Sequence, residues 1–152
     1  MLAPALALTA TGAFARAQEV THLQANKPLR VLIAENHHDL SDAMRELINA
    51  EPDMQCVGQV VEAGEVQRQA RAVGANVLIL DLMLQGGSSL PLLEELAADM
   101  PELRVIVFSG LAHAEEVSRE ARRRGAAAFV PKGADFQVLL AALRERPRAA
   151  AG

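Results

Sequence analysis

From Leu29 onward the chain alternates short runs of branched apolar residues with amphipathic stretches, five times over, and few architectures accept that pattern. Val77-Leu78-Ile79-Leu80 is the plainest run. With no polar alternation it reads as a strand covered on both faces, the environment found in the middle of a parallel sheet flanked by helices. Residues 29–34, 55–61, 104–109 and 126–130 read as the other strands, with Gly58 as a weak point inside the second.

The stretches between them carry helical spacing. Leu40, Ala43, Met44, Leu47 and Ile48 share a face over residues 39–50, ended by Glu51-Pro52-Asp53. Ala63, Val66, Ala70 and Val73 share another, closed by Gly74. Leu82-Met83-Leu84-Gln85-Gly86-Gly87 reads as a loop, after which Ser88 or Ser89 caps a helix with Pro91 in its first turn. Residues 113–124 form a fourth helix, and Asp135 caps a fifth that Arg146-Pro147 stops. Parallel crossovers are right-handed and each must be covered, so the expected fold is α/β: a doubly wound, five-stranded parallel sheet with helices on both faces. Residues 29–146 form this domain, with residues 1–28 as an N-terminal extension or linker and 147–152 as a short tail.

Of 152 residues 51% are apolar, which suits one core and leaves no room for two large domains. The 15 Lys and Arg are outnumbered by 19 Asp and Glu, so nucleic acid is not an expected partner. The one basic cluster, Arg122-Arg123-Arg124, ends a helical pattern, where cations complement the macrodipole. Cys56 has no partner for an internal disulfide and no zinc spacing, which fits a small buried hydrophobe in a reducing, cytoplasmic setting. Ala13-Phe14-Ala15 resembles a cleavage site, but the first basic residue, Arg16, stands on the wrong side of the apolar run for a secretory signal. Pro4 and Gly12 interrupt any membrane span there. An extension, a loosely docked helix or a misassigned start codon is the preferred reading of that segment.

The chemistry gathers at strand ends. The first strand finishes on Glu35-Asn36, the third on Asp81 and the fourth on Ser109-Gly110, while Lys132 follows the fifth at Pro131. Open α/β sheets bind ligands beyond the carboxyl ends of their strands, so these groups are expected at one edge. Each has a bland reading: Asp81 as a helix cap, Ser109 as a strand-end residue bonded to its own loop, Lys132 as a surface cation. Together they are what phosphoryl transfer to an aspartate needs. Asp81 would be the nucleophile of an acyl phosphate, Lys132 and Ser109 would grip phosphoryl oxygens, and magnesium would neutralise the developing charge. Gly110, lacking a side chain, would let its backbone N–H approach the phosphoryl group. His37 and His38 look like a metal pair, but adjacent residues point apart and no third His stands at ligand spacing, so both read as helix-entry residues.

Four segments carry a resemblance: Arg30-Val31-Leu32-Ile33-Ala34-Glu35-Asn36-His37, Val77-Leu78-Ile79-Leu80-Asp81-Leu82, Val105-Ile106-Val107-Phe108-Ser109-Gly110 and Gly125-Ala126-Ala127-Ala128-Phe129-Val130-Pro131-Lys132. In order and spacing they resemble the receiver domain of bacterial response regulators, in the branch that usually precedes a helix-turn-helix output. The resemblance implies a flavodoxin-like strand order 2-1-3-4-5 and Asp81 as phosphoacceptor from a histidine kinase or a histidine phosphotransfer protein. It implies Ser109 as the switch hydroxyl, Phe129 as the aromatic that follows it, and Lys132 as the phosphoryl-pairing lysine. Glu35, Asp81 and the Met83 backbone carbonyl would hold magnesium. The readout face would be the fourth helix, fifth strand and fifth helix, with Glu116, Arg119, Arg123 and Gln137, serving a downstream protein or a homodimer.

The sequence departs from the family pattern at Asn36, where a second acid is usual, at Gln85, where Pro is common, and at Ser89, where Gly is common. Asn36 brings no charge to a hard cation, so magnesium affinity should fall and its role as a ligand is doubtful. Two readings compete: a working phosphoacceptor, and a pseudo-receiver acting through phosphorylation-independent contacts. The working version is preferred because acceptor, hydroxyl, aromatic and lysine are all present. An Asp-nucleophile phosphatase would want an acid at position 83, which is Met; a dinucleotide enzyme would want a Gly-rich turn after the first strand. The expectation is therefore a stand-alone receiver, not an enzyme beyond self-phosphorylation and self-dephosphorylation, with no nucleic-acid or membrane partner.

Overall fold

The computed structural model describes residues 27–110 and 112–145. The expectations for residues 1–26, the stop at Arg146-Pro147 and the tail lie outside them. The strands are β1 (Leu29–Ala34), β2 (Met54–Val60), β3 (Val77–Leu80), β4 (Met83–Leu84), β5 (Gly87–Ser88), β6 (Arg104–Ser109) and β7 (Ala128–Pro131). The helices are α1 (His38–Asn49), α2 (Val66–Val73), α3 (Leu90–Asp99), α4 (Ala114–Arg123) and α5 (Phe136–Arg144). Five strands pair in parallel in the order β2-β1-β3-β6-β7, which is the expected 2-1-3-4-5.

Alternate residues of the central strands serve two cores. Leu32, Ala34, Leu78, Leu80, Val105 and Val107 pack with Val66 and Ala70 of α2, Leu93 and Leu96 of α3, and Ala121 of α4. Val31, Ile33, Val77, Ile79, Ile106 and Phe108 pack with Met44 and Ile48 of α1 and with Leu139, Leu140 and Leu143 of α5. Every β3 side chain is buried, which is why the run lacks polar alternation. Each such Leu, Ile or Val contributes about 2 kcal/mol on leaving water, and the two cores together fix which edge of the sheet carries the polar strand ends.

Two local expectations change. Gly58 stands beside a bulge: Val31 pairs with Cys56 and Leu32 with Gly58, so Val57 is an extra residue. A Cβ at Gly58 would stand 3.1 Å from Leu32 Cδ1. The stretch after Asp81, expected as a loop, forms a small antiparallel hairpin of β4 and β5 turned by Gly86 and Gly87 at positive φ. Gln85 at its tip donates its N–H to Val61 O (2.9 Å) and accepts from Ala63 N–H (3.2 Å), fastening the hairpin to the segment after β2. A proline there could not donate the first bond.

The opposite edge of the sheet is closed by guanidinium groups. Arg30 donates to Val73 O and Gly74 O at the end of α2, where Gly74 takes the left-handed conformation the sequence predicts. Arg104 donates to Ala142 O (2.7 Å) and Leu143 O (3.1 Å) at the end of α5. Arg144 holds Asp53 through both carboxylate oxygens (2.7 and 2.9 Å) and Glu51 (2.7 Å). Arg144→Ala is expected to lower the unfolding free energy by about 1 kcal/mol, the discounted value of a partly exposed network, in urea titrations. The pairing with Arg144 holds the Asp53 carboxyl below its ordinary value of 3.8. That share of stability is therefore present above this pH and fades as pH falls through the lower folded-state value, so the gap between Arg144→Ala and wild type should narrow in acid.

Candidate functional site

Both acids of the site continue the hydrogen-bond ladder just past their strands. Glu35 N–H donates to Val60 O (3.0 Å) and Asp81 N–H to Ala34 O (2.9 Å), so the two carboxyl groups are set side by side by the β1–β3 pairing. Both residues are buried, at 1% and 3% exposure. Charges in such a place need partners. Lys132 arrives from the loop after β7, its own N–H bonded to Ser109 O at 2.8 Å. Its Nζ lies 3.0 Å from Glu35 Oε1 and 3.0 Å from Asp81 Oδ2. Backbone donors complete the cradle: His37 N–H to Glu35 Oε1 (3.1 Å) and Met83 N–H to Asp81 Oδ1 (3.0 Å).

One atom stands out. Glu35 Oε2 is buried without a hydrogen-bond partner among the described residues. A carboxylate oxygen in that state is costly unless a cation or a proton reaches it. Burial pushes the Glu35 carboxyl above its ordinary value, with the Asp81 charge adding to it, while the Lys132 and His37 bonds pull the other way. Burial would lower the Lys132 ammonium, but its bonds to Glu35 and Asp81 outweigh this and hold it above its ordinary value. The orphaned oxygen and the adjacent Asp81 carboxylate are hard oxygen donors of the kind that suits a magnesium ion.

The other expected members are placed differently. Ser109 ends β6 at the same edge, but among the described residues its hydroxyl makes no hydrogen bond. Space beside Gly110 is open, with nothing within 4 Å of where a Cβ would stand. Phe129 packs against the core under α4, next to a surface cavity of about 430 Å³ lined also by Ala114, Ser118, Arg119 and Pro131. His37 and His38 are exposed at the start of α1, the helix-entry place their sequence position suggests. Asp135 caps α5 by accepting the Gln137 N–H, and the side chain of Ser88 accepts from Leu90 N–H.

Sequence reasoning missed three features of the site. The Glu35–Lys132 bond links residues 97 apart, and no spacing signals it. The Met83 N–H on the acceptor carboxylate follows from a short turn whose shape sequence does not state. Ser89 is fully buried and donates its hydroxyl to Asp81 O at 2.7 Å, where sequence offered it as a helix cap and as a departure from the usual Gly, without this bond.

Comparison with known proteins decides the kinship. The family described as response regulator receiver domain matches residues 31–144. The chain belongs to the response-regulator receiver family. The nitrate/nitrite response regulator NarL of Escherichia coli K12 is 30% identical over 126 residues, covering 83% of this chain and 56% of that protein. The DNA-binding transcriptional activator DevR/DosR of Mycobacterium tuberculosis is 24% identical over 117 residues, covering 77% of this chain and 54% of that protein. This receiver thus spans about half the length of the curated relatives it matches. The response regulator domain of Thermotoga maritima CheB has the same fold, with a TM-score of 0.69 at 21% identity over 80% of this chain and 100% of that one. Phosphoacceptor signalling with magnesium at the phosphorylation site is typical of receivers. Among the described residues no helix is long and apolar enough to cross a membrane.

Proposed function

We propose that this receiver takes a phosphoryl group on Asp81 from a histidine kinase or a histidine phosphotransfer protein, and passes its state on through protein contacts. The observation that carries the reading is the position of Lys132 Nζ, 3.0 Å from both buried carboxylates at the edge where the strands end. A carboxylate oxygen of Asp81 attacks phosphorus, the bond to the donor imidazole breaks, and the imidazole leaves with its electron pair. Lys132 shifts one N–H from Asp81 to a phosphoryl oxygen while keeping Glu35, so no charge is left unpaired during the exchange. Ser109 and the Gly110 N–H supply further donors from the end of β6. Glu35, Asp81, the Met83 carbonyl and Asn36 would hold magnesium, which when bound neutralises part of the phosphoryl charge. Phosphorylation shifts a two-state equilibrium in which Ser109 turns inward and Phe129 moves beside its cavity, changing the face of α4, β7 and α5 that carries Glu116, Arg119, Arg123 and Gln137. The chain is a phosphoacceptor rather than an enzyme, and its partners on this reading are proteins, a second copy of itself included.

Asn36 favours one competing reading, a pseudo-receiver that works without phosphate. Incubation with acetyl phosphate and magnesium separates them: intact mass should show one added phosphoryl group, and none at tens of millimolar magnesium would establish the pseudo-receiver. Restoring the acid is the companion measurement. Asn36→Asp should tighten magnesium binding by roughly tenfold, the order that one extra charge at contact distance gives near solvent. An unchanged titration would mean that Asn36 does not face the ion.

A further inference from the structure

We propose that Ser89 is a positioning residue for the acceptor: its buried hydroxyl, donated to the Asp81 carbonyl, sets the orientation of the Asp81 carboxylate for phosphoryl uptake. The consequence for uptake rests on the reading of Asp81 above; the geometric part does not.

Ser89 is 0% exposed, and its Oγ lies 2.7 Å from Asp81 O. Its N–H donates to the next carbonyl, Leu82 O, at 2.9 Å. One residue therefore grips two successive carbonyls at the root of the β4–β5 hairpin and fixes the peptide plane that leaves Asp81. Met83 N–H lies in the following peptide plane, whose carbonyl the Ser89 N–H holds and whose direction is set from the first, and it reaches Asp81 Oδ1 at 3.0 Å. With Oδ2 on Lys132, both oxygens of the acceptor are then oriented. Without the hydroxyl the Asp81 carbonyl loses a bond in a buried place, and the turn that aims the carboxylate loosens. A glycine at this position, common in the family, offers no such bond, so the hydroxyl is a feature of this chain's own loop.

The test uses the full chain and Ser89→Gly, which keeps the backbone N–H bond and fits the local torsions of φ −93 and ψ 6. Ser89→Ala is run in parallel, because it removes the hydroxyl without adding backbone freedom. Amide exchange of Met83, read by NMR against amides in the middle of β3, should quicken about tenfold in both variants, the scale of one lost buried hydrogen bond. The maximal rate of phosphorylation by acetyl phosphate should fall by a similar factor, while the half-saturating concentration stays the same. A role confined to stability would lower the melting temperature and leave Met83 exchange and the maximal rate of folded protein untouched. An unchanged value in either measurement overturns the proposal. If wild type itself takes up no phosphoryl group, the assignment of Asp81 falls, and Met83 exchange alone decides whether Ser89 orients the carboxylate.

Discussion

Asp81→Asn is expected to gain no phosphoryl group from acetyl phosphate and magnesium under conditions where wild type gains one. The substitution is nearly isosteric. Its amide oxygen can still accept from Met83 N–H, as Asp81 Oδ1 does at 3.0 Å, and Lys132 keeps Glu35 at 3.0 Å. What disappears is the anionic oxygen that attacks phosphorus, and a neutral amide is no substitute for it. The fold should survive, with unchanged far-ultraviolet circular dichroism, so loss of the mass increment reports chemistry rather than unfolding. An undiminished increment in Asp81→Asn would place the acceptor elsewhere.

Lys132→Met is expected to lower stability at neutral pH by about 3 kcal/mol, in the range found when one partner of a buried ion pair is removed. The low end applies because the Lys132 side chain is 22% exposed, so water relieves part of the loss. The ammonium now balances Glu35 and Asp81 together. Without it two buried carboxylates face each other, and one must take a proton. The deficit should therefore shrink as pH is lowered, which a simple packing defect would not do. Wild type shows the related sign. The Glu35 carboxyl is raised by burial, so its contribution to stability is whole below its ordinary value of 4.5 and is lost as pH rises through the folded-state value. Lys132, raised by its two carboxylates against the pull of burial, contributes below its ordinary value of 10.5, and that contribution is lost as pH rises past it. Urea titrations of both proteins across pH measure all of these trends.

The parallel sheet and its order were readable because five short apolar runs, two of them without polar alternation, recur between amphipathic stretches, and few other folds accept that pattern. Asp81 and Lys132 were legible for a related reason: polar residues that end buried strands must collect at one edge. Where sequence fell short, the information was three-dimensional. The hairpin of β4 and β5 depends on Gly86 and Gly87 adopting positive φ and on Gln85 meeting Val61, a pairing between segments with no common pattern. Gly58 read as a weak point because its close neighbour, Leu32, lies on another strand. Ser89 looked like a cap because serines before helices so often are, and only its burial and its bond to Asp81 O distinguish it. The arginines of the far edge, Arg30, Arg104 and Arg144, have surface-residue composition, yet each ends in a defined set of acceptors.

Those three arginines also separate what holds the domain together from what serves the acceptor. They tie the trailing ends of α2 and α5 and the turn before β2 together at the end of the sheet away from Asp81. Asp81 takes its own partners, Lys132 and Met83 N–H, at the other end of the strands, so cutting an arginine bond should register in stability while leaving the acceptor's contacts in place.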